Sequence, residues 1–176
     1  TRSDEYHLAH QHDADVVKLI VSPDGELYSA GNDGLVVKWN KQNKAPEQTL
    51  TVPHRVTSLE VGLDDNVFVS DALETQVIWR SQRSEVISEL AYWERFQWFR
   101  VARFAPINQW IITSSPKTEL YIWHLANGEP AAQWRAEVQG VGSAILDMRF
   151  TNPATLRTIT SDGVLQDWDL TQFENH

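Results

Sequence analysis

The chain contains no cysteine, which excludes disulfide bridges, thiolate metal sites and a cysteine nucleophile and leaves the redox compartment undetermined. It also lacks any apolar run near the ~20 residues that a membrane-spanning helix needs. Its first residues, TRSDEYHLAH, have neither the basic nor the apolar region of a signal peptide. Membrane insertion is therefore not expected, and the compartment stays open with the cytoplasm slightly favoured. Basic residues are scarce: 15 Lys and Arg stand against 24 Asp and Glu, for a net charge of −9. That is the wrong sign for neutralising phosphates, so nucleic acid is not an expected partner. The chain opens on Thr1 rather than Met, which suggests a trimmed chain.

With 176 residues, 41% of them apolar and 22% charged, the composition is that of an ordinary globular domain, long enough to bury roughly two thirds of its unfolded surface. Tryptophan is the excess, with eight copies. Four of them mark a period. Trp39, Trp79, Trp123 and Trp168 lie 40, 44 and 45 residues apart, and each closes a short run, LVVKW, TQVIW, ELYIW and VLQDW. Apolar residues at alternate positions make each run a half-buried strand.

Upstream of each of these tryptophans the same grammar recurs. Strands are expected at Val16 to Val21, Val56 to Val61, Phe99 to Phe104 and Ile145 to Phe150, ending 18, 18, 19 and 18 residues before the Trp. A second strand lies between, at Glu26 to Ala30, Asn66 to Ser70, Gln109 to Thr113 and Ala154 to Thr160. An outer one follows around Glu47 to Val52, Glu85 to Leu90 and Glu129 to Arg135. No segment carries a convincing helical period, although Glu85 to Arg95 is the least regular strand. Four-strand units repeating every 40 to 45 residues are the sequence form of propeller blades.

The first unit is the fullest. His12 precedes VVKLIVSPDG and LYSAGNDGLVVKWN, an order that resembles the WD-repeat β-propeller family. The resemblance implies an all-β propeller of four-stranded antiparallel blades, and it places His12, Ser29, Asp33 and Trp39 at the spacing of the family's buried hydrogen-bonded tetrad. The later units decay. Unit four keeps Thr158, Asp162 and Trp168 but has Val141 at the His position. Unit three keeps Thr113 and Trp123, with Lys117 and Arg95 at the Asp and His positions. Unit two has Leu73 for the Asp, and its His54 is out of register. The expected blades span about 12–53, 54–92, 93–137 and 138–170, with 4–11 as an outer strand closing the last. Four blades are few for the family. Three closures compete: part of a larger ring completed by other blades, two copies forming an eight-bladed ring head to tail, or a self-contained four-bladed ring.

Candidate chemistry is sparse. His12, Ser29 and Asp33 have the residue types of a hydrolase triad, but the resemblance buries them inside a blade, and no nucleophile-elbow motif is present. His7, His10, His12, Asp13 and Asp15 include metal-ligand types, yet a solvated strand with one structural His is the simpler reading, and no metal or cofactor is expected. The innermost strands supply Lys18, Glu60, Arg103, Asp147 and Arg149 singly, without an obvious metal cage for an enzyme working in the axial channel. Tyr92, Trp93, Arg95, Phe96 and Arg100 combine aromatic and arginine side chains, the types enriched at protein interfaces, and are the candidate partner-binding residues. The expected role is a non-catalytic scaffold for other proteins, including a second copy or missing blades. Its alternatives are a sensor module of a larger signalling protein and, less favoured, an axial-channel enzyme.

Overall fold

The computed structural model describes residues 11–91 and 99–173. Its order is all β: β1 Val16–Val21, β2 Leu27–Gly31, β3 Leu35–Trp39, β4 Pro46–Thr51, β5 Val56–Val61, β6 Asn66–Asp71, β7 Gln76–Arg80, β8 Glu85–Glu89, β9 Val101–Phe104, β10 Trp110–Ser114, β11 Glu119–His124, β12 Pro130–Arg135, β13 Ile145–Asn152, β14 Thr155–Thr160 and β15 Leu165–Asp169. Two short 3₁₀ turns, Ser81–Arg83 and Leu170–Phe173, complete it.

Each run of four strands forms one antiparallel meander, β1 to β4, β5 to β8 and β9 to β12; among the described residues the last sheet has three strands, β13 to β15. The segment expected to close it, 4–11, lies outside the described residues except for Gln11. The third expected inner strand is shorter than its sequence suggests. Phe99 and Arg100 precede β9 rather than joining it, because the neighbouring β10 ends at Ser114, opposite Val101; Phe99 still turns inward, 1% exposed, with its ring 5.7 Å from Trp123 and 5.9 Å from Tyr121.

The sheets are copies down to their irregularities. Where the third strand meets the outer one, the register slips at Lys38/Trp39, at Ile78/Trp79 and at Ile122/Trp123. A second slip recurs in the inner strand, at Val16/Lys18, Val56/Ser58 and Ile145/Asp147. An extra residue in one strand of a pair sharpens the local twist, and each slip recurs at one position in three of the four sheets.

Inner strands stand side by side: β1 packs on β5, β5 on β9 and β9 on β13, and among the described residues no comparable packing joins β13 to β1. The core is divided accordingly. One cluster lies between the first two sheets (Tyr28, Ala30, Val36, Leu59, Val69, Trp79), one between the second and third (Phe68, Ile78, Ala102, Ile111, Trp123, Leu125), and one between the third and fourth (Ile112, Leu120, Ile122, Met148, Leu156, Leu170). Period-two alternation thus feeds a core on each face of the two middle sheets and on one face of each end sheet.

Candidate functional site

The β2–β3 hairpin of the first sheet carries the most polar residues the sequence singles out. Asp33 sits in the turn and Ser29 on β2, with Trp39 ending β3. The chain entering β1 brings His12 over them. His12 Nδ1 is 3.1 Å from both Asp33 carboxylate oxygens, and its Nε2 is 2.8 Å from Ser29 Oγ. Trp39 Nε1 donates to the same Ser29 oxygen at 2.8 Å. Since Ser29 Oγ already accepts from the indole, the network assigns its proton toward His12 Nε2, leaving Nδ1–H to donate to Asp33. Asp33 also accepts from the amides of Asp13 at 2.9 Å and Leu35 at 3.1 Å. Burial pushes the Asp33 carboxyl up, but these amides and the His12 ring outweigh it, so its pKa lies below the ordinary value. Gly31 makes room for this arrangement. A Cβ there would collide with Asp33 Oδ1 and lie 2.7 Å from His12 Nδ1.

The other sheets close the same turn differently. The position of Gly31, eight residues before the tryptophan, is occupied in them by Asp71, Ser115 and Thr160. Asp71 Oδ1 accepts from the amides of Leu73, Glu74 and Thr75 at 2.9 to 3.0 Å. Burial pushes the Asp71 carboxyl up, and the three amides more than reverse it. Ser115 Oγ accepts from Lys117 N at 3.1 Å, and Thr160 Oγ1 from Val164 N at 3.1 Å. Asp162 holds the loop ahead of β13 through the amides of Gln139 and Gly140, and the Thr160 hydroxyl that it accepts from keeps its pKa low. Val141 is fully exposed and His54 forms no hydrogen bond among the described residues. Arg95 lies outside them. Aligning the units on their tryptophans would have exposed Asp71 and Ser115, since both are small polar residues at one fixed offset.

The hydroxyl ten residues before each tryptophan recurs with one exception. Trp123 Nε1 donates to Thr113 Oγ1 at 2.8 Å and Trp168 Nε1 to Thr158 Oγ1 at 3.0 Å. In the second sheet that position is Val69, and Trp79 Nε1 is buried without a hydrogen-bond partner. Trp79 and Trp123 are 1% exposed, whereas Trp39 and Trp168 are only partly buried.

Three inner strands bring charges together that the sequence shows as isolated residues. Arg103 on β9 reaches Glu60 on β5 at 3.1 Å and Asp147 on β13 at 2.7 Å, and Arg149 adds a contact of 3.3 Å to Asp147. Burial pushes the Glu60 carboxyl up to about 7, against the pull of the Arg103 guanidinium. A cleft bounded by Lys18, Thr57, Arg100, Arg103, Leu146 and Asp147 opens beside this cluster. Among the described residues no group of three or more His, Asp or Glu could hold a metal ion; His7 and His10 lie outside them. Of the candidate partner residues, Tyr92, Trp93, Arg95 and Phe96 lie outside the described residues too. Arg100 is exposed at the edge of the cleft.

No family model matches the chain, and no curated protein sequence does. Solved structures do. The computationally designed Ika4 protein superposes with a TM-score of 0.72 at 14% identity, over 93% of this chain and 96% of its own. A chain of the Mitotic Checkpoint Complex gives 0.74 at 18%, over 92% and 51%. The C-terminal WD40 domain of Sif2 gives 0.72 at 12%, over 90% and 47%. The chain spans about half the length of the last two. At these identities the likeness concerns the fold, and the fold is that of a β-propeller.

Proposed function

We propose that the chain is a non-catalytic scaffold on which other proteins assemble. The observation that carries this reading is the state of Ser29, among the described residues the one hydroxyl bonded to a histidine that is itself bonded to a carboxylate. It is 3% exposed, and its oxygen lies between His12 and the Trp39 indole. A nucleophile must reach a carbonyl carbon, and this one faces an indole instead. The carboxylates at the inner strands are likewise held by Arg103. The polar groups with chemical potential are thus engaged in holding hairpins and strands in place, which suits a frame that presents loops. The partner surface is assigned to Tyr92, Trp93, Arg95 and Phe96 with Arg100. Arginine and large aromatics together give much contact area with directional hydrogen bonding.

The test pairs two measurements. Purified protein is assayed against ester and amide substrates, and no turnover above solvent is expected; turnover that vanishes in Ser29→Ala would reverse the reading. In parallel, tagged wild type and the Trp93→Ser/Arg95→Ser double variant are compared by quantitative affinity capture. A protein set retained by the wild type and lost in the variant, at an unchanged melting temperature, is expected. An identical set in both would remove this surface from the proposal.

A further inference from the structure

Each sheet in the middle of the row buries both of its faces, but the two end sheets cannot. Leu19 on β1 and its repeat equivalents Leu59, Ala102 and Met148 occupy the same place in their inner strands. The last three are 4%, 1% and 1% exposed, whereas Leu19 is 67% exposed. Val17 and Val21, on the same face of β1, are 41% and 64% exposed. The opposite end shows the same deficit. Ala30 and Val36, Ser70 and Gln76, and Ser114 and Leu120 are cross-strand pairs on the face turned toward the next sheet, and all are buried. Their counterparts in the last sheet, Ile159 and Leu165, also face each other across the ladder but are 39% and 59% exposed.

What covers these faces is written in the charges beside them. At each sheet–sheet contact, a second cross-strand pair meets the residue two places after the next sheet's tryptophan. Tyr28 meets Ser81, its Oη 2.8 Å from Ser81 Oγ, and Lys38 beside it lies 3.7 Å from Asp65 of that next sheet. Phe68 and Ile78 share a cluster with Leu125, and Ile112 and Ile122 share one with Leu170. The pair and its mate change character together, polar with polar and apolar with apolar. In the last sheet the pair is Arg157 and Asp167, joined through two contacts of 2.7 Å. The one mate left without a preceding sheet is Lys41, ion-paired at 2.9 Å with Glu26. Two opposite-sign pairs, one at each end of the row, are thus the remaining match, with Leu19 falling opposite Ile159 and Leu165 as Leu59 falls in one cluster with Ala30 and Val36. Among the described residues no packing like that between neighbouring sheets joins the last sheet to the first.

We propose that the occupant of both faces is a second copy of this chain. The first sheet of each copy seats on the last sheet of the other, and two four-sheet rows close one eight-sheet ring with two identical seams. Leu19 packs on Ile159 and Leu165 there, and Lys41 with Glu26 confronts Arg157 with Asp167. A head-to-tail contact of this kind closes when its rotation is right and otherwise runs on into fibres. The row superposes on about half of two longer chains of similar fold, so two such rows match their span. A large exposed apolar face is itself unusual on a monomer.

Light scattering on the purified chain tests this directly. The expected mass is about twice 20.1 kDa; a single-chain mass at every accessible concentration, or a larger assembly, overturns the proposal. Leu19→Asp and Leu165→Asp each alter both seams and are expected to give single chains, with unchanged circular dichroism because both side chains are exposed in the lone chain. Mixing the two variants leaves one seam unaltered in each mixed pair, so a two-chain species is expected to return on mixing alone. Two-chain mass persisting in either variant by itself, or none returning on mixing, overturns the first-sheet-to-last-sheet contact.

Discussion

The missing hydroxyl under Trp79 allows a substitution that adds stability to be worked out from the structure. In three sheets the indole N–H donates to a Ser or Thr ten residues earlier, at 2.8, 2.8 and 3.0 Å. In the second, Val69 stands there and the buried N–H has no acceptor. The ladder register is the same in each case: Val67 pairs with Trp79 and Val69 with Val77, as Ile111 pairs with Trp123 and Thr113 with Tyr121. Val69→Thr therefore places an oxygen in reach of Nε1 without a change of shape. An unsatisfied buried donor costs about 1–3 kcal/mol, while exchanging a buried methyl for a hydroxyl gives back ~1 kcal/mol of hydrophobic burial. The net expectation is a gain of about 1 kcal/mol, which raises the melting temperature by ~2–4 °C in a chain of this size. Thr113→Val is the mirror image. It strands Trp123 Nε1 and is expected to cost about 1–2 kcal/mol. Urea unfolding followed by tryptophan fluorescence measures both. If Val69→Thr destabilises by 1 kcal/mol or more while Thr113→Val is neutral, the hydroxyl has no part in holding the indole and the reasoning fails.

Trp123→Ala is expected to cost on the order of 3–5 kcal/mol, since its ring is 1% exposed and touches Phe99 and Tyr121; in the isolated chain the half-buried Trp39 should cost less, and equal losses in denaturant titrations would contradict the burial argument. Asp71→Ala removes the acceptor of three amides and should lower stability by ~1–3 kcal/mol, seen as faster hydrogen exchange at Leu73 to Thr75; unchanged exchange there would count against the turn. Gly31→Ala should disturb the first hairpin by displacing Asp33 or His12, read as a lowered melting temperature. Because burial raises Glu60 from 4.5 to about 7, the folded chain holds a proton that the unfolded one has released. Its contribution to stability is present below about 4.5 and lost as pH climbs through about 7, at a slope of at most ~1.4 kcal/mol per pH unit. Glu60→Gln should flatten the stability profile across that window, and a profile identical to wild type would exclude Glu60 as its source.

The period of the tryptophans, the alternation around them and the spacing of the upstream strands were enough to give the fifteen strands found among the described residues, because burial on a pleated sheet requires apolar residues every second place. The resemblance to WD repeats pointed to His12, Ser29, Asp33 and Trp39, which one local hairpin and the chain entering it carry. Relations between sheets were less legible. Glu60, Arg103 and Asp147 lie 43 and 44 residues apart, one repeat each, which puts them on successive inner strands; that one guanidinium reaches both carboxylates depends on how those strands stand against one another. Nor does the sequence distinguish Leu19 from Leu59, two leucines in equivalent strands. One ends in a core and the other at an open face, because burial depends on which sheet stands next, and the arrangement of sheets is a property of tertiary structure alone.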